Sequence, residues 1–198
     1  MITTVDLTER DNHRAYLYAL LAALLISPPS SKFMQQLAQL VINDAELSNN
    51  TIGYIWNKIK LVAQTPDVTT IENEFHQLFI GIGEGELIPY RSWYLTGELM
   101  GKSLVALREE LQKLGFARQE NIHEPEDHIA ILCEIMSLLI YNPTEYTFDT
   151  QRHFFLVYLN SWVLHFFHDL HKTPAAKFYQ LVGQFGEQFF ISEQILFN

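Results

Sequence analysis

Phe154-Phe155-Leu156-Val157-Tyr158-Leu159-Asn160-Ser161-Trp162-Val163-Leu164-His165-Phe166-Phe167 is the stretch that decides the fold class. Its large apolar side chains, Phe154, Phe155, Tyr158, Leu159, Trp162, Phe166 and Phe167, recur at intervals of three and four. That period places them on one wide face of an α-helix, whereas a strand would alternate every second residue. The pattern predicts a core helix from about Asp149 to His171, interrupted by Pro174. Another follows over Ala175 to Ile191, with Phe178, Leu181, Val182, Phe185 and Phe189 on one side.

The same period extends upstream. Ile129, Leu132, Ile135, Met136 and Leu139 define a helix with Pro125 in its first turn and Pro143 beyond its end. A long helix is expected from about Ser92 to Leu114, with Gly115 as its left-handed cap. Towards the N-terminus, Thr8 and Asp11 form a capping pair for a helix from Leu7 to Ile26, which Pro28-Pro29 stops. Ser30 or Ser31 starts a second helix reaching about Ile42, and Asn50 caps a third that ends before Pro66. Thr69 with Glu72 is the capping box of a fourth, ending near Phe79, and a glycine loop, Gly81 to Gly85, follows it to Pro89. No strand-like alternation and no fixed repeat interrupts this. The expected architecture is all-α: residues 1–198 as a single domain, one bundle of about eight helices. Should the bundle divide into two lobes, the polar connector from Gly115 to Pro125 is the expected hinge.

Composition narrows the function. With 48% hydrophobic and 18% charged residues, the 198-residue chain buries a real core. Its 13 lysines and arginines face 23 acids, and a net charge of -10 disfavours nucleic acid and anionic lipid while favouring basic partners. The longest apolar run, Tyr16 to Ile26, is about half of the roughly 20 residues of a membrane span, so membrane insertion is not expected. Met1 to Asp11 carries acids and one arginine instead of a basic segment followed by an apolar one, so a cytoplasmic protein is expected. Cys133 is the lone cysteine, which excludes an internal disulfide and a thiolate zinc cluster.

Catalytic sets are weak. His165, His168, His171 and Asp169 are dense, but position 171 lies about 120° round the helix from 165, so the three imidazoles do not converge. Asp127-His128 resembles the adjacent pair of metal-dependent phosphohydrolases, whose further ligands are not identifiable here. Glu120-x-x-His123 occurs once, whereas di-iron bundles need it twice. The glycine loop has no following lysine and serine or threonine, and Cys133 sits in an apolar helical pattern as an inert thiol. The chain is therefore expected to be no enzyme and to hold no cofactor or metal.

Two breaks in the helical pattern concentrate polar and aromatic groups. The first runs from Glu74 through Leu78 and Phe79 to Tyr90, Arg91, Ser92, Trp93 and Tyr94; the second is Glu124-Pro125-Glu126-Asp127-His128-Ile129-Ala130. Aromatic side chains beside carboxylates suit a peptide that is part apolar and part basic. A well-capped turn beside an aromatic core fits the same residue types.

At these breaks the sequence resembles the TorD-like family of redox-enzyme maturation chaperones, with its TorD, DmsD and NarJ branches. The resemblance rests on Glu74-x-x-x-Leu78-Phe79-x-Gly81 with Pro89-Tyr90-x-Ser92-x-Tyr94, and on Glu124-Pro125-x-Asp127-His128 with Glu134-x-Met136. Phe155-x-x-x-Leu159-x-x-Trp162-x-x-x-Phe166 and Ala176-x-Phe178-Tyr179-x-Leu181 extend it. The segments 85–90, 94–97 and 107–115 are most similar to members associated with formate dehydrogenase. The resemblance implies a cytoplasmic chaperone whose partner is a molybdoenzyme client with its twin-arginine signal peptide, acting as a monomer or a domain-swapped homodimer. The chain departs from many relatives at Gly81-Ile82-Gly83, at Arg91, where an acid is common, and at Tyr158, where a histidine is. No nucleotide motif supports carrying over the weak guanine nucleotide binding of some relatives.

The expected peptide-binding residues are Leu78, Phe79, Tyr90, Ser92, Trp93, Tyr94, Glu124, Pro125, Glu126, Asp127 and His128. In this reading the acids meet client arginines, and Asp127→Asn weakens binding with the fold intact. The alternatives are a phosphohydrolase using Asp127-His128, and a helical adaptor without signal-peptide specificity.

Overall fold

A computed structural model describes residues 7–40, 51–80, 85–118 and 123–198. Among them are ten α-helices: α1 Glu9–Ile26, α2 Ser31–Gln39, α3 Thr51–Gln64, α4 Val68–Phe75, α5 Arg91–Thr96, α6 Lys102–Lys113, α7 Ile129–Tyr141, α8 Phe148–Tyr158, α9 Val163–Lys172 and α10 Phe178–Phe197. A π-helical segment, His76–Ile80, continues α4. Among the described residues there is no sheet, only one isolated antiparallel bridge between Tyr90 and His128. The fold is all-α, as the periodicity predicts.

The chain forms two compact units. The first comprises Met1–Ala22 and Pro89–Trp162, the second Ala23–Ile88 and Val163–Asn198. The chain passes between them after Ala22, Ile88 and Trp162, whereas the connector from Gly115 to Pro125, the expected hinge, lies inside the first unit. Helix periodicity cannot reveal the first of these passages, because α1 runs through it unbroken.

In the first unit, Thr8 caps α1 as expected: its hydroxyl oxygen accepts the Asp11 amide at 3.1 Å and its O–H donates to the Asp11 carboxylate at 2.7 Å. The single helix expected from Ser92 to Leu114 is instead two. Gly97 (φ 73°), Met100 (φ 65°) and Gly101 (φ 95°) take left-handed backbone, which a continuous helix excludes. Gly115 (φ 81°) ends α6 as expected, with the Phe116 amide donating to the Leu111 carbonyl at 2.9 Å. Pro125 precedes α7 instead of entering it, because His128 is the N-cap. α7 packs against α8.

The helix expected from Asp149 to His171 is also broken, without proline or glycine. The Trp162 indole N–H takes the Tyr158 carbonyl at 2.8 Å, the acceptor that the Trp162 amide would use in an unbroken helix. That amide goes to Leu159 at 3.2 Å, and the chain turns before α9.

In the second unit, Ser30 caps α2 as expected, accepting the Phe33 amide at 3.2 Å. The helix stops at Gln39, and positions 41–42, expected to extend it, lie outside the described residues, as do Asn50, Gly81–Glu84 and Glu120. Asp67, not Thr69, caps α4, because its carboxylate accepts both the amide (3.1 Å) and the hydroxyl (2.7 Å) of Thr70. α10 is the spine of this unit and packs against α9, α3 and α4. Its approach to α9 depends on small residues: a Cβ at Gly186 would lie 2.2 Å from the Phe167 ring. No described helix is long and apolar enough to cross a membrane.

Candidate functional site

Within the first unit, Pro89–Ser92 and Glu124–Ala130 clasp each other. The Arg91 amide donates to the Asp127 carbonyl at 3.0 Å and the Ile129 amide to the Pro89 carbonyl at 2.9 Å. Asp127 adds a side-chain bond, its Oδ2 accepting the Ser92 amide at 2.9 Å. This amide is one of the unsatisfied donors at the start of α5, where Tyr90 as N-cap supplies no side-chain acceptor. Asp127 therefore caps α5 from a segment 35 residues further along the chain.

His128 closes the other end of the clasp. Its Nδ1 accepts the Ala130 amide at 3.1 Å and caps α7, and its ring meets Tyr90 edge-on at 5.0 Å. Burial pushes its pKa down to about 4, against the opposing pull of Glu124 and Asp127. The imidazole is thus neutral near pH 7. Tyr90 donates its phenol to Glu124 Oε2, and burial together with that carboxylate raises the phenol pKa, so it stays a donor.

A histidine whose folded pKa lies below its unfolded value contributes stability above about pH 6.5, and loses it as the pH falls towards about 4. His128→Asn keeps a capping acceptor and removes the titration. Wild type should therefore lose up to about 3 kcal/mol more than this variant between pH 7 and 4. Urea unfolding at several pH values reads the difference, and parallel profiles would refute it.

Beside the clasp lies a pocket of about 140 Å³, lined by Leu111, Phe116, Ile131, Ile135 and Leu138 and by the carboxylates of Glu124, Glu126 and Glu134. Arg118 also lines it and donates to the His123 carbonyl at 2.7 Å. Arg108 Nε donates to Glu126 Oε2 at 2.9 Å. A lining of apolar side chains with three acids suits a ligand with an apolar body and a cationic end.

The expected site residues divide. Tyr90, Ser92, Trp93, Tyr94 and Glu124 to His128 all belong to the first unit, whereas Leu78 and Phe79 belong to the second. There Phe79 packs on Phe75 (5.0 Å between ring centres) and Tyr179 (5.4 Å), and Leu78 is fully buried. Ser92, Asp127 and His128 are buried as well, Asp127 to 1% exposure. Asp127 Oδ2 and His128 Nδ1 serve the clasp, whereas Asp127 Oδ1 is buried without a hydrogen-bond partner. Tyr94 lies on Trp162 (5.5 Å), Trp93 is 37% exposed, and Glu124, Pro125 and Glu126 are partly exposed. Leu111, Phe116, Ile131, Glu134, Ile135 and Leu138 were not expected as site residues. In the sequence Phe116 belongs to the polar connector and the others read as ordinary amphipathic helix, and only packing brings them together.

The model of the family described as nitrate reductase delta subunit matches residues 45–168, more than half of the chain. The chain is 36% identical over 115 residues to a protein named as a Tat proofreading chaperone, DmsD, of Haemophilus influenzae, covering 57% of this chain and 55% of that one. It is 28% identical over 145 residues to the chaperone protein TorD of Aliivibrio fischeri, covering 68% and 67%. The chain belongs to the TorD/DmsD/NarJ-type family of redox-enzyme maturation chaperones. A solved structure from Archaeoglobus fulgidus, titled as a redox enzyme maturation protein, covers 96% of the chain with a TM-score of 0.59 at 19% identity, a likeness of fold.

Chaperones of this family are not enzymes. In the clasp Asp127 Oδ2 accepts the Ser92 amide and His128 Nδ1 the Ala130 amide, so each side chain spends one acceptor on capping a helix. His168 and His171 both turn their Nδ1 atoms to Glu187, at 3.3 and 3.4 Å, and among the described residues no group of three or more His, Cys, Asp or Glu side chains is arranged to hold a metal ion. Burial raises the Cys133 thiol pKa strongly, so it is a poor nucleophile.

Proposed function

We propose that residues 1–198 act as one all-helical chaperone module in the cytoplasm. It binds the twin-arginine signal peptide or the core of a molybdoenzyme and holds it until the cofactor is inserted before export. The client is a reductase of the dimethyl sulfoxide or trimethylamine N-oxide type, or a formate dehydrogenase. The protein acts as a monomer or as a dimer that exchanges a unit between copies.

The observation that carries this reading is the pocket beside the clasp. Glu124, Glu126 and Glu134 line it together with apolar side chains, so a guanidinium finds charge-assisted acceptors while its stem and the residues after it meet hydrocarbon. The net charge of -10 steers cationic segments towards the protein. Tyr90, Trp93 and Tyr94 of the same unit supply further apolar contact. Asp127, His128 and Ser92 hold the backbone that presents these groups. Release requires only moderate affinity, about -8 kcal/mol for a micromolar complex.

Calorimetry with three peptides tests the reading: a basic twin-arginine segment followed by apolar residues, its twin-lysine version and a scrambled version. The twin-arginine peptide should bind tightest, and Glu124→Gln should weaken it about fivefold to tenfold with an unchanged melting temperature. Equal binding of all three peptides would instead identify a helical adaptor without signal-peptide specificity.

A further inference from the structure

Glu126 faces the pocket already paired. Its partner, Arg108, comes from the exposed surface of α6, and the two side chains are 49% and 14% exposed. The contact is a single hydrogen bond through Nε, with no fork of two parallel N–H groups. Such a one-point pair at a surface is weak, and its geometry is easily surrendered. Glu126 is nevertheless mostly out of water, and a carboxylate there without a partner is costly. Arg108 thus performs in the empty pocket what an incoming guanidinium would perform in the filled one.

We infer that Arg108 is a built-in competitor that occupies the Glu126 carboxylate until an arginine of the bound polypeptide displaces it, and so sets the affinity of the pocket for cationic ligands. The inference rests on the reading that this pocket receives a client arginine. A ligand guanidinium that takes Glu126 with two N–H groups, while neighbouring carboxylates stabilise its charge, gains what the single Arg108 bond lacks. Arg108 swings into solvent from its exposed position on α6 without disturbing Leu107 or Leu111, which face the core. The exchange keeps Glu126 paired throughout, and it holds the binding constant low enough for release.

The test is a double-mutant cycle on the full chain. Binding of the twin-arginine peptide is measured by calorimetry for wild type, Arg108→Gln, Glu126→Gln and the double variant, and each fold is checked by thermal melting. Arg108→Gln should tighten binding about twofold to fivefold, the worth of an exposed ion pair. In the Glu126→Gln background the same change should have no effect, since nothing is left to compete for. The Arg108 side-chain Nε–H resonance should also shift as peptide is added to wild type. Equal tightening in both backgrounds would mean that removing a positive charge acts through the general field, and the competitor idea falls. Unchanged or weaker binding by Arg108→Gln, or a static Nε–H resonance while peptide binds, overturns it as well. In those cases the client reading survives; absence of peptide binding to every variant sinks both.

Discussion

Replacing Glu74 with alanine should cost about 3–6 kcal/mol of folding free energy, the largest loss expected from one side chain in this protein. Glu74 is buried, and its carboxylate accepts three backbone amides at the start of α10: Lys177 at 2.7 Å, Phe178 at 3.1 Å and Tyr179 at 2.7 Å. Lys177, the N-cap of this 20-residue helix, offers no side-chain acceptor of its own. The first-turn donors of α10 therefore depend on α4. Alanine leaves two buried amides and one part-buried amide unpaired, and removes the negative charge that complements the helix dipole. Glutamine keeps one carbonyl oxygen and should fall between. Urea unfolding followed by tryptophan fluorescence is a suitable probe, since Trp56 packs on Phe185 of α10 at 5.7 Å. A loss below about 1 kcal/mol would mean that the three bonds do not hold the helix.

That capping arrangement marks the boundary of what the sequence discloses. Helix existence was legible because the period of the apolar residues is a local property. The Phe154 to Phe167 stripe does lie in the core, with Phe154, Phe155, Leu159, Trp162, Phe166 and Phe167 nearly unexposed. Local caps such as Thr8 and Ser30 were legible too, because donor and acceptor lie three residues apart. The helix breaks were harder. Gly97 and Gly101 stood in view, but helices tolerate isolated glycine, and nothing local says that both adopt positive φ. The turn after Tyr158 depends on the choice of acceptor by one indole N–H.

Long-range partners were illegible for a different reason. Glu74 was singled out as part of a motif, but its bond to Tyr179 spans 105 positions, and spacing rules do not reach that far. The candidate site shows the same division. The breaks at Pro89–Ser92 and Glu124–Ala130 were visible as composition, and the structure joins them through main-chain bonds. The exposure of each residue was not visible. An acid in a polar, loop-like segment reads as solvated, whereas Asp127 is interior because α5 needs an acceptor.

This placement reverses what a substitution at Asp127 should do. An exposed anchor would lose client affinity on conversion to asparagine and keep its stability. A buried cap behaves otherwise: Asp127→Asn retains an oxygen for the Ser92 amide, so both stability and peptide affinity should stay near wild type, with changes within about 1 kcal/mol. Asp127→Ala removes the acceptor altogether. It leaves the Ser92 amide unpaired in a fully buried residue. Leaving one buried donor without its acceptor costs about 1–3 kcal/mol. The effect reaches the pocket, because Glu124 and Glu126 lie in the same clasped segment and Tyr90 reaches Glu124 from across it. Asp127→Ala should therefore lower both the urea midpoint and the twin-arginine peptide affinity. Unfolding curves and calorimetry on the two variants separate the cases. A tenfold loss of affinity in Asp127→Asn, with the unfolding curve of wild type, would put this carboxylate in contact with the client and overturn its assignment as a cap.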